Sequence, residues 1–466
     1  MKCKMTERSK QIFGNDIAPG AYKKAVRSKQ KFIRKFGDDS TKIYPTSIQA
    51  NPYIGPELGV SDIRVGEEGT ADFNTEKGII VGNIRMGFGH YRISMAIASA
   101  AHALGYEPYW MDLNSYGQTT CTKVIGAQND LYSMGSRLSQ KSRLFNRLVW
   151  EPMNYEGFRK LTYNAADQKN AELMAPVYHS VPKDIPVIAT HVWPAQAAVH
   201  AGMKHVVNAI PDNWPMALHY AQGSLHTVQT HYAYQGYRIG NGMMKDKVVQ
   251  AMPPQDLMYT GHYIDHELAA NIEKDCEARL SRLKNGEAMR FLLTVGGAGA
   301  QMEIFGEVLH YLIPYVIAGK AVVYVNVGDY RNIWEMIKAN LPGMKGITTE
   351  HMDNWEDTVA FAKEALEGKV SGIHGFYHEN IFEAVYCTNL LMRSADVLVT
   401  KPSELAFYPI PKLFIRRVGG HEQWGAVHSA ELGDGTLECR DIEHTIQMLD
   451  LFLRDPGMLE SMCHNI

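Results

Sequence analysis

From Gly78 onward, short uninterrupted apolar runs recur along the chain, separated by glycine turns and amphipathic stretches. Gly78–Ile84 is the first such run, and it ends in Arg85-Met86-Gly87-Phe88-Gly89-His90. The small-residue stretch Tyr91–Leu104 predicts a helix stopped by Gly105. Tyr109–Leu113 predicts the next strand. Strand, glycine turn, helix, strand is the repeat of a parallel α/β layer. Further strands are predicted at Val187–Thr190, His205–Ile210, His226–Thr230 and Leu257–Thr260, while residues 120–180 read as amphipathic helix.

A charged helical segment from Glu267 to Lys284 interrupts this grammar, which then restarts. Phe291–Val295 predicts a buried strand ending in Gly296-Gly297-Ala298-Gly299, followed by a helix from Met302 to Ala318 and a strand at Ala321–Val327. Val397–Thr400 and Lys412–Ile415 predict two more short strands. The expectation is an α/β protein with two Rossmann-like domains: an extension over 1–77, a first domain over 78–265, a second over 266–445, and a last helical stretch over 446–466 returning to the first. In the extension, Lys23, Lys24, Arg27, Lys29, Lys31, Arg34 and Lys35 fall at helical spacing, as on a solvated helix face or against anionic lipid.

Composition narrows the class. The 466 residues are 45% hydrophobic and 21% charged, with a net charge of −3, so no global field favours nucleic acid. The six cysteines form no CxxC pair, which argues against a zinc ribbon or dithiol centre. The first residues lack the apolar run of a signal peptide, and no run is long enough to span a bilayer. A cytoplasmic protein is expected.

Five segments offer chemistry. In Gly296–Ala300, glycines at a strand-to-helix turn let backbone N–H groups approach a diphosphate, or serve only to pack a tight turn. Ser394–Glu404 sets a carboxylate where a ribose would be bound, or where Glu404 satisfies its own helix start. Gly419-Gly420-His421-Glu422-Gln423-Trp424 follows a strand and offers polar groups to sugar hydroxyls. In Gly87-Phe88-Gly89-His90, Arg92 occupies the third glycine position of a dinucleotide fingerprint, which argues against nicotinamide or flavin. Asp212, just past Ala209-Ile210-Pro211, is a general-base candidate or a helix cap. Phosphate-loop, HExxH and GxSxG motifs are absent, and without any Asp-x-Asp no metal-clamped sugar-transfer site is expected.

In this order the segments resemble the family of the lipid-I N-acetylglucosaminyl transferase and monogalactosyldiacylglycerol synthase. The residues that carry the likeness are Met86–His90, Ile210–Asp212, Gly296–Ala300, Ser394–Glu404 and Gly420–Gln423. The resemblance implies the glycosyltransferase type B fold, two domains facing across a cleft, and an inverting transfer from a nucleotide-diphosphate sugar, UDP-linked by that likeness, without metal or cofactor. It implies that Gly296, Gly297, Ala298 and Gly299 hold the diphosphate, with Lys401 and Ser403 in the same donor site. Glu404 would bind the ribose, and Glu422 and Gln423 the sugar. Gly87, Gly89 and His90 would meet the acceptor, with His90 or Asp212 as base. It also suggests a lipid acceptor and contact with the inner membrane face, for which the apolar and basic mixture over 131–165 is the candidate surface, against the alternative of a helix packed on its own domain. The chain departs from the pattern in a loop shortened to Ser403 and in extra sequence over 340–390 holding His351, Trp355, His374 and His378. A nucleotide-sugar 2-epimerase and a non-catalytic binding protein on the same fold stay open as alternatives, and the fold does not choose among them.

Overall fold

The computed structural model describes residues 7–67, 72–244, 249–296 and 301–466. It forms two α/β units. The first comprises Met1–Met86, Ile93–Tyr263 and Gly419–His421, and the second Gly87–Arg92, Ile264–Val418 and Glu422–Ile466.

The first unit opens with a small antiparallel pair, β1 (Gln11–Ile12) and β2 (Asn15–Asp16). Its main sheet contains β3 (Thr46–Ala50), β4 (Ser61–Val65), β5 (Gly78–Asn83), β6 (Glu107–Asp112), β7 (Val187–Ala189), β8 (Val206–Ala209), β9 (Leu225–Val228) and β10 (Leu257–Tyr259). Their spatial order is β10-β9-β8-β7-β5-β6-β4-β3. Every pair is parallel except β3 on β4. Residues 1–77 thus supply two strands of the sheet, and the helix Pro19–Phe36 lays Phe32, Ile33 and Phe36 against the main core of this unit. An edge position leaves β3 half in water, so it lacks the continuous apolar run that betrays the central strands.

The second unit is a six-stranded parallel sheet of β11 (Met289–Thr294), β12 (Ala321–Asn326), β13 (Thr348–Met352), β14 (Gly372–Tyr377), β15 (Val397–Thr400) and β16 (Lys412–Phe414), in the order β13-β14-β12-β11-β15-β16. β11 and β12 are buried at every residue, because helices cover both faces. One of these, Met302–Ile317, inserts Phe305, Val308, Leu309 and Leu312 into the core. Leu449, Phe452, Leu459 and Met462 of the helices Ile442–Arg454 and Pro456–Asn465 join that same core, so the end of the described chain packs in the second unit rather than returning to the first. Asp396, at the entry to β15, accepts from Arg282 Nη2 at 2.7 Å and from the Arg290 backbone N–H at 2.8 Å, a buried ion pair that fixes this strand end.

The α/β class and the two Rossmann-like units are as the apolar pattern predicts. In both sheets the chain reverses its winding beside a central strand, between β5 and β7 in the first and between β11 and β15 in the second. Ligands of open parallel sheets bind beyond the strand carboxyl ends at such switch points.

Candidate active site

In the second unit the switch point gathers several of the predicted donor residues. β11 and β15 run parallel, and the Thr294 and Thr400 hydroxyls meet at 3.1 Å near their carboxyl ends. Gly296 follows β11 and Lys401 follows β15. A Cβ on Gly296 would lie 3.2 Å from Lys401 Cε, so the missing side chain makes room for the lysine. Lys401 Nζ donates to Glu422 Oε1, and Glu422 Oε2 accepts from the Val418 backbone N–H at 2.8 Å. Both members of this ion pair are largely buried, with side-chain exposures of 20% and 10%. Gln423 begins the helix Gln423–Leu432 directly after Glu422. Ser403 turns the chain after β15, its N–H donating to Lys401 O at 2.8 Å. Gly297, Ala298 and Gly299 lie outside the described residues.

Glu404 has a partner that its sequence context does not announce. Its Oε1 accepts from Arg92 Nε at 3.2 Å, and its Oε2 would sit 3.0 Å from a Cβ placed on Gly89. Arg92 is 2% exposed, and its Nη1 also donates to Val385 O at 3.1 Å and to Asn389 Oδ1. Asn389 Nδ2 in turn donates to Asp265 Oδ2 at 2.7 Å, and Tyr408 OH reaches the same oxygen at 3.3 Å. One guanidinium therefore serves the half-buried Glu404 directly and the buried Asp265 through Asn389. Burial pushes the Asp265 carboxyl up to about 6, against the pull of Arg92 and the hydrogen bond from Asn389. A carboxylate held by a single guanidinium N–H keeps lone pairs for two hydroxyls. In the sequence Arg92 stands out only as the occupant of a glycine position. The available signal was a charged residue inside an otherwise small and apolar helix.

The turn Gly87–Arg92 groups with the second unit. Gly87 has φ +87°, a left-handed conformation that glycine adopts without strain. Phe88 packs against Gly328 and Tyr330, and Tyr91 against Phe382. His90 is half-buried in the first turn of the helix Gly89–Ala103.

In the first unit Asp212 follows β8. Its Oδ2 lies 3.2 Å from His219 Nε2 and its Oδ1 3.8 Å from His421 Nε2. His219 Nδ1 lies 2.6 Å from Tyr237 OH. Burial holds the Tyr237 phenol well above its ordinary range, so it stays protonated. The phenol and Asp212 thus meet the two ring nitrogens of His219. Asp212, with 30% of its side chain exposed, is thus a carboxylate oriented by one histidine and faced by a second. Beside it, Trp214 stacks on Tyr155 at 4.5 Å, and the Arg159 guanidinium lies over the Trp214 ring at 4.4 Å. Tyr237 carries no signal in the sequence, because only the fold brings it beside His219.

Comparison with solved structures finds the UDP-GlcNAc 2-epimerase from Neisseria meningitidis bound to UDP-GlcNAc, 12% identical, covering 83% of this chain and 94% of that one at a TM-score of 0.45. It also finds the alpha,alpha-trehalose 6-phosphate synthase from Burkholderia multivorans, 11% identical, covering 84% and 93% at a TM-score of 0.39. No curated protein matches the chain. Two family models divide the sequence close to the boundary of the two units: residues 11–239 match the domain of unknown function DUF6937, and residues 252–466 match the domain of unknown function DUF6938.

Proposed function

We propose that this protein is a glycosyltransferase that moves a sugar from a nucleotide-diphosphate donor, of the UDP-sugar type, to an acceptor hydroxyl. The observation that carries the reading is the meeting of Gly296, Lys401 and Glu422 at the β11–β15 switch point. An ammonium fixed beside a glycine turn suits a diphosphate, whose negative charge grows as the anomeric bond breaks. Glu422 holds Lys401 in place and, with Gln423, lies where donor-sugar hydroxyls would be bound. Glu404, oriented by Arg92, is the group suited to the ribose. In the first unit the Asp212–His219–Tyr237 chain supplies a general base: Asp212 takes the acceptor proton, and His219 steadies the carboxylate. His90 is the second candidate for that proton. The departing diphosphate is stabilised by Lys401 and by backbone N–H groups, with no metal needed in the step.

The acceptor belongs to a lipid surface in this reading. Leu131, Met134 and Leu138 stand exposed at i, i+3 and i+7 on the helix Thr120–Lys141, and Leu144, Leu148 and Val149 continue the apolar surface through the following turns.

Calorimetric titration with UDP and UDP-sugars tests the donor site. Lys401→Gln is the probe that keeps the Arg92–Glu404 pair intact, and because it leaves Glu422 without its ion-pair partner its unfolding midpoint is recorded beside the titration. With the variant still folded at the titration temperature, it is expected to bind UDP roughly 10- to 100-fold more weakly, the loss of one charge-assisted contact. Equal affinity in wild type and variant, or no uridine nucleotide bound by either, rejects the reading. Loss of sugar from the donor without any acceptor points to the epimerase alternative instead.

A further inference from the structure

We propose that Asp353, His378 and Glu383 form a binding site for a divalent transition-metal cation, Zn²⁺ or Mn²⁺ by donor chemistry, at the carboxyl edge of β13 and β14. These residues lie in the extra sequence over 340–390 and play no part in the donor reading, which rests on β11, β15 and β16.

The topology brings the three together. Asp353 is the first residue after β13, and its backbone N–H donates to Tyr377 O at 2.7 Å, which ties the two strand ends. His378 is the first residue after β14, and its backbone N–H donates to Gly328 O at 3.1 Å. Glu383 lies in the first turn of the helix Ile381–Met392. One ligand atom from each side chain falls within 4.8 Å of the other two.

Two acidic groups near a strand end are common in water and prove nothing. The buried histidine is what separates this cluster from such a pair. His378 is 0% exposed. Its Nε2 lies 3.1 Å from Thr358 Oγ1, while its Nδ1 has no hydrogen-bond partner among the described residues. Nδ1 instead points at the cluster, 3.6 Å from Glu383 Oε2, beyond hydrogen-bond range. With Thr358 at Nε2, Nδ1 is the ring nitrogen left facing the two carboxylates. It is a buried polar atom without a hydrogen bond among the described residues, a cost of about 1–3 kcal/mol. A cation at the common focus satisfies all three groups.

The geometry around the focus has the features of a metal site. Ligands about 2.1 Å from a tetrahedral ion lie about 3.4 Å apart. The His378–Glu383 pair is already at 3.6 Å, and a rotation of the exposed Asp353 side chain closes the rest. The outer partners expected of such ligands are present. Thr358 orients the imidazole through Nε2, and the Glu379 backbone N–H donates to Asp353 Oδ1 at 2.9 Å. One imidazole with two carboxylates is a mixed nitrogen and oxygen set that suits Zn²⁺ or Mn²⁺, and three protein ligands leave positions for water. The exposed Asp353 gives the ion its route in.

The test uses the full chain stripped of metal by a chelator and titrated with Zn²⁺ and Mn²⁺ in a calorimeter, with thermal unfolding recorded in parallel. Wild type is expected to bind one equivalent and to unfold at a higher temperature with metal than without. Asp353→Asn and Glu383→Gln are each expected to weaken that binding by about tenfold or more and to abolish the metal-dependent rise, while their metal-free midpoints match that of the metal-free wild type. Both variants leave the buried imidazole in place, so folding is preserved for the comparison. Absence of a stoichiometric site in wild type, or equal binding by wild type and both variants, overturns the proposal. Because the readouts are binding and unfolding, they stand or fall apart from the glycosyltransferase reading.

Discussion

Arg92, Glu404 and Asp265 show how much one buried charge can organise. The guanidinium is shared between two carboxylates, directly with Glu404 and through Asn389 with Asp265, and the second of these is left with its ionised form poorly compensated. Its carboxyl is pushed up to about 6 by burial, above the ordinary unfolded value of about 3.9. The sign follows from proton binding. Between these two values the folded state holds more protons than the unfolded one, so the contribution of Asp265 to stability is present at low pH and lost as pH rises through about 6. Asp265→Asn carries no such dependence. Urea unfolding at a series of pH values is expected to show wild type losing on the order of 2 kcal/mol relative to the variant from pH 4 to pH 7. A constant difference across that range rejects the assignment of a buried, strained carboxyl. Little of this was legible in the sequence. Glu404 stood out by its place after a strand, but the partner that orients it lies 312 positions away, and separation of that kind is resolved only by the fold.

At the scale of elements, one of the contacts that seat the turn Gly87–Arg92 is that of Phe88 with Gly328. Gly328 has φ +63°, and a Cβ there would lie 2.5 Å from two atoms of the Phe88 ring. Alanine at 328 therefore meets backbone strain of about 1–2 kcal/mol and also drives Phe88 from its place. Gly306, in the middle of the helix Met302–Ile317, has nothing within 4 Å of the corresponding position. The expectation is that Gly328→Ala lowers unfolding stability by about 2 kcal/mol or more, whereas Gly306→Ala raises it by roughly 0.5–1 kcal/mol through helix propensity. Denaturant titrations of the two variants check both signs, and a neutral Gly328→Ala counts against the Phe88 contact. The elements themselves were unevenly legible. β5, β11, β12 and β15 declared themselves because a strand covered on both faces has no polar positions to break its apolar run. β13 did not, because Thr349 and Glu350 are exposed at the sheet edge and interrupt the pattern. β14, though buried, was hidden by Gly372, His374 and Gly375. Gly375 is required there because Trp334 packs directly on its backbone.

For the molecule as a whole, the question is whether the exposed apolar face over residues 131–149 meets a membrane. Among the described residues no helix is long and apolar enough to cross one. Leu131, Leu144 and Leu148 are 65%, 69% and 64% exposed, while Val124 and Ile125 near the start of the helix Thr120–Lys141 are fully buried, so that helix packs on its own core at its start and leaves apolar side chains to solvent further along. With a net charge of −3, the chain gains little from general attraction to an anionic surface, and insertion of apolar side chains has to supply the binding. Three leucines moved from water into the acyl boundary are worth about 5 kcal/mol together, enough for reversible partitioning onto vesicles at roughly millimolar lipid. Flotation with vesicles of phosphatidylcholine and phosphatidylglycerol is therefore expected to carry wild type upward, and to do so still at about 0.5 M salt, where the screening length is only about 4 Å. Leu144→Asp combined with Leu148→Asp is expected to leave the protein at the bottom of the gradient with its unfolding midpoint unchanged, since both side chains already face water. Wild type that stays at the bottom at low salt removes the lipid-surface acceptor from the proposal. Wild type that floats only at low salt reassigns the contact to its basic residues.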